Sequence, residues 1–400
     1  MAYIEEPAAV VSVLLAVIAC LFAASQHPVG ERLFRVVPLL VFLYFVPTSL
    51  SNVGLIPLAS PAYEWIKDWL LPASLALLTM SVDIPALVRL GRPVLVMFLG
   101  GTASIVIGGP VALLLCRGLL PVELGDQAWK GLAALSGSWI GGGANFVAIG
   151  ESVGASDSTL GAMIVVDVFI ANIWMAVLLF TATHEKRLDA RIGADRRTLE
   201  EVRERLEAFR LQSARQPTLA DLCTITALGL GAATLSTYLA SFLPDLGGVL
   251  GKFAWTVILV TAFAIAASFT PLRRLEGAGA SRVGSLFLYL LVASIGAKAE
   301  FERVFDAPGL IVIGAVWIAI HALVLWLLRY LMKVPIFFLA VGSQANVGGA
   351  ASAPIVASAF QPELAPVGAL MGVAGYVLGT YAGLVCAYLL QWVYQWGGGL

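Results

Sequence analysis

Charge is what this sequence has least of. Asp, Glu, Lys and Arg make up 12% of its 400 residues, where a soluble globular chain carries about 25%. The 24 basic and 25 acidic side chains leave a formal charge of −1, so there is no basic excess to attract a nucleic acid. Cysteine is also scarce. Cys20, Cys116, Cys223 and Cys386 each lie in apolar sequence and none forms a CxxC pair, which argues against a disulfide framework or a thiolate metal site. His27, His184 and His321 are far apart and share no ligand spacing. Apolar residues, by contrast, make up 60% of the chain. They fall in stretches of roughly 18 to 25, the length that crosses about 30 Å of hydrocarbon. The fold class expected is an all-α polytopic membrane protein. The start, Met1 to Glu6, is acidic where a signal peptide is basic, so the first apolar stretch reads as a retained helix.

Apolar segments fall near 8–25, 34–58, 62–82, 93–120, 129–150 and 158–183, and again near 219–243, 249–270, 281–298, 307–331, 335–360 and 364–393. Between the sets lies a polar connector, 184–217, with nine of the 24 basic residues. Thr198 and Glu201 have capping-box spacing there, and Leu199, Val202, Leu206 and Phe209 recur at helical spacing. An amphipathic surface helix is predicted to join two halves, 1–183 and 218–400.

The halves share landmarks in one order. Leu77-Leu78-x-x-Ser81 matches Leu290-Leu291-x-x-Ser294, and Gly137-Ser138 matches Gly342-Ser343. Leu160-Gly161-Ala162-Met163 matches Val367-Gly368-Ala369-Leu370. Duplicated halves, interrupted at corresponding places, are the signature of secondary transporters. Arg89 and Arg92, then Arg273, Arg274 and Arg282, then Arg329 and Lys333 mark cytoplasmic turns by the positive-inside rule. Those turns orient the halves oppositely, whereas twelve simple crossings would make them parallel. One segment must therefore be re-entrant or divided differently, and the expectation falls on 219–270, around Pro244-Asp245-Leu246-Gly247-Gly248.

Two glycine-rich interruptions carry the chemistry. The first, near 137–150, contains Ser138, Gly141, Gly142, Gly143 and Asn145; the second, near 342–354, contains Ser343, Gln344, Asn346, Gly348, Gly349, Ser352 and Pro354. Gly is about 1 kcal/mol worse than Ala in a helix, and unwound backbone is not tolerated against lipid. Both interruptions are thus expected to face a polar cavity inside the protein. Amide and hydroxyl oxygens with freed carbonyls suit a sodium ion, placed at Asn145, Gln344 and Asn346 with Ser343 contributing. The resumed half-helices offer N–H groups to an anion, with Ser138, Gly142, Gly143, Gly348, Gly349 and Ser352 as the substrate-binding set.

Asp167, within the sixth segment, is a buried carboxylate and a functional residue by default, as a cation ligand or a proton carrier. Asn172 points partly around the same helix. His321 among Trp317, Leu323 and Trp326 reads as a satisfied interior histidine. Asp83 and Lys298 end the matched third and ninth segments and read as interface residues. No nucleophile motif accompanies His321, so the chain is expected not to be an enzyme.

The stretches 137–145, 343–354 and 364–372 resemble the YjcL-like membrane proteins. The resemblance covers most of the chain and is strongest at 137–175 and 343–385; it names no substrate. More distantly, the layout is similar to the bile-acid sodium symporter and cation–proton antiporter superfamily. That likeness implies about 11–13 transmembrane helices in two inverted repeats. Each repeat would place a discontinuous helix at a crossing within a core built from about 62–183 and 281–393. A panel domain would mediate a homodimer. Asp167 resembles the antiporters' ion-binding carboxylate, although Val166 stands where they carry a second acid. A secondary transporter is expected, in a bacterial cytoplasmic membrane, coupling sodium or protons to a small organic anion; the alternative is a cation–proton antiporter without an organic substrate. No cofactor other than the coupling ion is expected.

Overall fold

The computed structural model describes residues 2–28, 39–120, 124–195, 216–245, 250–299, 309–361 and 364–396, with 30, 33, 34, 197 and 199. Among them there are helices and no strand. The first half contains α1 (Pro7–Gln26), α2 (Leu39–Asn52) and α3, which runs as Pro61–Trp65, through a π-helical turn at Ile66–Leu70, and on as Leu71–Met80. There follow α4 (Ile84–Arg89), α5 (Arg92–Cys116), α6 (Gln127–Gly141), α7 (Gly143–Ser152) and α8 (Asp157–Thr183). A short α9 (Glu185–Ile192) leads into the connector, whose predicted amphipathic helix lies outside the described residues. The second half contains α10 (Leu219–Ala240), α11 (Lys252–Ser268), α12 (Ala280–Lys298), α13 (Gly309–Met332), α14 (Ile336–Val347), α15 (Gly349–Phe360) and α16 (Ala365–Trp396).

Among the described residues, α1, α5, α8, α10, α12, α13 and α16 are each long and apolar enough to cross a membrane. Their outer faces stay apolar, as Phe169, Ile173, Val177 and Phe180 do on α8, each at least 44% exposed. Such a stripe is stable in hydrocarbon and not in water. This is a membrane protein. Seven spans fall short of the 11–13 expected because α3 is divided by its π turn, α2 and α11 are short, and two segments are each divided into a pair of short helices.

Those two are the interrupted ones. Gly142 alone joins α6 to α7, with φ 75° and ψ −173°, and the chain reverses there. A Cβ on Gly150 would lie 3.2 Å from that of Ala134, and one on Gly137 would strike the carbonyl oxygen of Asn145. In an unbroken helix Ala134 and Gly150 would be about 24 Å apart. α14 and α15 reverse likewise around Gly348 and Gly349, the latter at φ 60°. Gln344 Nε2 donates to Ser352 Oγ at 2.7 Å, and the Phe337 and Phe360 ring centroids are 5.6 Å apart. The expected discontinuous helices at a crossing are therefore corrected to two hairpins. A tip residue in the left-handed region and side-chain-free inner faces let the half-helices close on each other.

α16 carries both hairpins. Its Gly368, Gly372, Gly375, Gly379 and Gly383 fall on one helical face. Gly368 meets Ala353 and Gly372 meets Gly349 and Ala350 on α15; Gly375 meets Ile140, Gly379 meets Gly141 and Asn145, and Gly383 meets Ile149. The second hairpin thus flanks the early part of α16 and the first flanks its later part. Their tips come within about one helical turn of each other along it. They point at one another from opposite ends of the molecule.

Around this centre, α5 and α13 run antiparallel, with Gly101 beside His321 and Gly108 beside Trp317. Flanking it, α3 packs on α12, α2 on α12, and α11 on α3. Ion pairs fix the ends. Asp83 joins Arg273 at 2.9 Å, which brings the turn after α3 to the bend after α11. Asp189 accepts from Arg329 at 3.0 Å and from the Ile336 amide at 2.8 Å, holding α9 to the foot of the second hairpin. At the other end Lys298 joins Glu64 at 3.4 Å and Asp157 at 3.3 Å. The chain reversals thus fall at 127–152 and 336–360; in the 219–270 region α10 and α11 are separate helices, and 246–249 lie outside the described residues. Of the cysteines, Cys386 is buried and Cys20 and Cys223 are exposed.

Close packing on α16 yields a paired test. Gly379→Ala should lower stability by roughly 1–3 kcal/mol, because its Cβ would overlap Gly141 and the Asn145 amide. Gly231→Ala, with open space at its Cβ, should leave it unchanged or raise it by up to about 1 kcal/mol. Thermal melting in detergent measures both.

Candidate functional site

The residues singled out from sequence gather at the two tips in distinct clusters. At the first tip, Gly142 N–H donates to Ser138 O at 2.8 Å and so closes α6. Asn145, in the first turn of α7, spans the reversal: its Nδ2 donates to Gly141 O at 3.1 Å and its Oδ1 accepts from Thr380 Oγ1 of α16 at 2.8 Å. Asn145 is fully buried, and neither end of its carboxamide is left without a partner. Gly143, the first residue of α7, is half-buried.

Asp167 faces the same hairpin from α8. Ser138 Oγ donates to its Oδ2 at 2.6 Å and Trp139 Nε1 to its Oδ1 at 2.7 Å. Both donors are neutral. Among the described residues the carboxylate has no ion pair and is held by these hydrogen bonds, an arrangement suited to an additional proton or metal cation. Asn172 donates to Val168 O of its own helix at 2.7 Å and faces away from the tips.

The second tip mirrors part of this. Asn346 is fully buried; its Nδ2 donates to Gly342 O at 2.9 Å and Phe98 O at 3.0 Å, and its Oδ1 accepts from Thr102 Oγ1 at 2.8 Å. Gly101 leaves the notch it fills, since a Cβ there would meet the Asn346 amide. Each asparagine therefore ties a tip to a long helix, Asn145 to α16 and Asn346 to α5. Gln344 differs. One end of its carboxamide bonds Ser352, while Oε1 is buried with no partner among the described residues. A Cβ on Gly348 would strike Ser352 Oγ and Gln344 Nε2, so only glycine fits over this amide. Just beyond Gln344, the final carbonyls of α14 end without the intrahelical partners that a continuing helix would supply. An unmatched buried acceptor costs about 1–3 kcal/mol.

Ser343 belongs to a further cluster. Its Oγ accepts from Trp174 Nε1 of α8 at 2.7 Å and lies 2.7 Å from His321 Nε2. His321 Nδ1 lies 2.7 Å from Ser104 Oγ, which donates to Gly101 O at 2.6 Å. Helices α5, α8, α13 and α14 are linked by this chain of polar groups. His321 is a satisfied interior residue, as its sequence context suggests, and also a junction. The proposed ligand trio Asn145, Gln344 and Asn346 thus falls into three sets of partners around the facing tips.

Sequence reasoning missed Thr102, Thr380, Trp139, Trp174 and Ser104. Two of them left a signal. Trp174 follows Asp167 by seven residues and so shares its helical face, and Thr380 adjoins Gly379 in the evenly spaced glycines of α16.

The chain is 24% identical over 351 residues to the uncharacterized membrane protein YjcL of Bacillus subtilis (strain 168), covering 83% of this chain and 85% of that one. The family described as "Protein of unknown function (DUF819)" matches residues 12–393. Both hairpins, α8 and all but the last three residues of α16 lie inside that span, and the chain belongs to the DUF819 family.

Proposed function

We propose that this protein is a secondary active transporter that couples sodium, or protons, to the movement of a small organic anion by alternating access. One observation carries the reading: two re-entrant hairpins approach tip to tip beside a carboxylate held only by neutral donors and an amide oxygen with no partner. Unwound backbone inside a membrane protein is retained where it lines an ion or substrate path. In this proposal the cation is held by the free end of Gln344, carbonyls at the end of α14 and the oxygens of Ser343, Asn145 and Asn346, with Asp167 supplying charge. The anion meets the N-terminal ends of α7 and α15 at Gly142, Gly143, Gly348 and Gly349, with Ser138 and Ser352.

The halves are proposed to be inverted repeats. Counting each hairpin as re-entrant leaves α1, α2, α3, α5 and α8 against α10, α11, α12, α13 and α16. Five crossings each make the halves antiparallel, and the antiparallel run of α5 and α13 supports this. The moving core is then α5–α8 with α13–α16. The panel, and the homodimer contact, comes from α1–α3 and α10–α12. Arg89, Arg92, Arg273, Arg329 and the connector share one end, which the positive-inside rule makes cytoplasmic; a bacterial inner membrane fits. An enzyme is not proposed, because the Ser343–His321 pair is fully buried and its third member is a serine. The neutral partners of Asp167 also favour a second reading, a cation–proton antiporter.

Two measurements follow. In proteoliposomes, Asp167→Asn and Asn346→Ala should each lower sodium-driven uptake from a panel of organic anions at least tenfold; full retention would remove the site. In detergent, sodium should raise the melting temperature above that in potassium, and Gln344→Leu should abolish the difference. If vesicles free of any other solute exchange sodium for protons, the antiporter reading replaces the symporter.

A further inference from the structure

Away from the tips, a cleft of about 250 Å³ opens between α3, α10 and α11. Leu77, Met80, Leu228, Gly231, Phe263 and Ala267 line it. All are apolar, and Gly231 presents open space, with nothing within 4 Å of where its Cβ would be. A slot of this kind, open at the surface of the proposed panel, fits an alkyl chain, either of bulk lipid or of a lipid held at the edge of the proposed homodimer contact.

One end of the cleft is different. Leu272 also lines an adjoining cavity bounded by Thr224, Thr270 and Arg274. These residues stand where the chain leaves α11 and turns by 95° into the 3-10 segment Pro271–Ala278. With α11 crossing the membrane, that turn lays the segment along the surface, at the depth of lipid headgroups. Arg273, Arg274 and Arg282 outnumber Asp83 and Glu276 there by one, and Arg274 and Arg282 are exposed. Arg273 is paired with Asp83 at 2.9 Å, and Glu276 is turned onto Ser281, accepting from its Oγ at 2.7 Å. Arg274 is exposed and has no ion pair among the described residues. A cation at headgroup depth, at the mouth of an alkyl slot, is complementary to a lipid phosphate carrying net negative charge. Its aliphatic stem can lie along the apolar rim while the guanidinium reaches the interface.

We propose that this cleft is a binding site for one anionic phospholipid, with an acyl chain between α3, α10 and α11 and the headgroup phosphate at Arg274. The site bridges helices of both halves and rests on the proposed crossing of α11, not on what is transported.

Native mass spectrometry of the detergent-purified full chain tests it, with phosphatidylglycerol and phosphatidylcholine of identical acyl chains. The wild type should retain one phosphatidylglycerol at about fivefold or more the occupancy of phosphatidylcholine. Arg274→Gln, a change at an exposed side chain, should bring phosphatidylglycerol down to the phosphatidylcholine level. Gly231→Leu, which puts an apolar side chain into the slot from a position whose Cβ meets open space, should lower retention of both lipids, and both variants should melt as the wild type does without added lipid. Equal retention of the two lipids by the wild type, or unchanged selectivity in Arg274→Gln, would overturn the proposal. Wild-type retention of phosphatidylglycerol by a normally melting Gly231→Leu would overturn the acyl-chain placement.

Discussion

A polypeptide that turns around inside hydrocarbon must satisfy its own backbone, because no water is there to do so and each exposed amide costs several kcal/mol. Both reversals in this protein meet that demand in the same manner. An asparagine next to the turn bonds the carbonyl four residues back, Gly141 O for Asn145 and Gly342 O for Asn346. A threonine hydroxyl from a long helix then closes the asparagine's oxygen. The glycine rows follow from this. Only helices without side chains on the contact face come close enough for those bonds, which is why Gly101, Gly141 and Gly379 surround the two amides.

The same demand explains α8. Asp167 takes the hydroxyl of Ser138 in one hairpin, and Trp174, two turns further, donates to Ser343 in the other. These serines are the matched residues of the two Gly-Ser landmarks. A single straight helix thereby sets the spacing between the hairpins, and α16 does so again through its glycines. With His321 linking α13 to the same network, the helices around the tips are bound more closely to each other than to α1, α2 and α10. Motion of that group as one body against its flanks is the mechanical content of the transport proposal.

Much of this was legible in the residues. The apolar segments lie close to the helices found, and both reversals fall at the glycines that marked them. The direction of the chain after each break was not legible. A glycine in mid-span permits a kink, an unwound crossing or a full reversal, and the choice depends on contacts between Ala134 and Gly150, or Phe337 and Phe360, that no local pattern specifies. Under the proposal that both hairpins are re-entrant, the parity conflict over orientation lies in the interrupted segments and not in 219–270. Among the site residues, Asn145 and Asn346 stood out as amides in apolar sequence. Their division between α16 and α5 depended on Thr380 and Thr102, ordinary residues until the helices meet.

Chemical labelling from the two faces of the membrane tests the reversals most directly. On a background with the four native cysteines replaced, single variants Asp126→Cys, Ala155→Cys and Gln361→Cys would be treated with an impermeant maleimide in right-side-out and inside-out vesicles. Re-entrant hairpins entering from opposite ends place residues 126 and 155 on one face and residue 361 on the other. Labelling of 126 and 155 from opposite faces would mean that α6 and α7 together cross the membrane, and the account built on facing tips would be wrong.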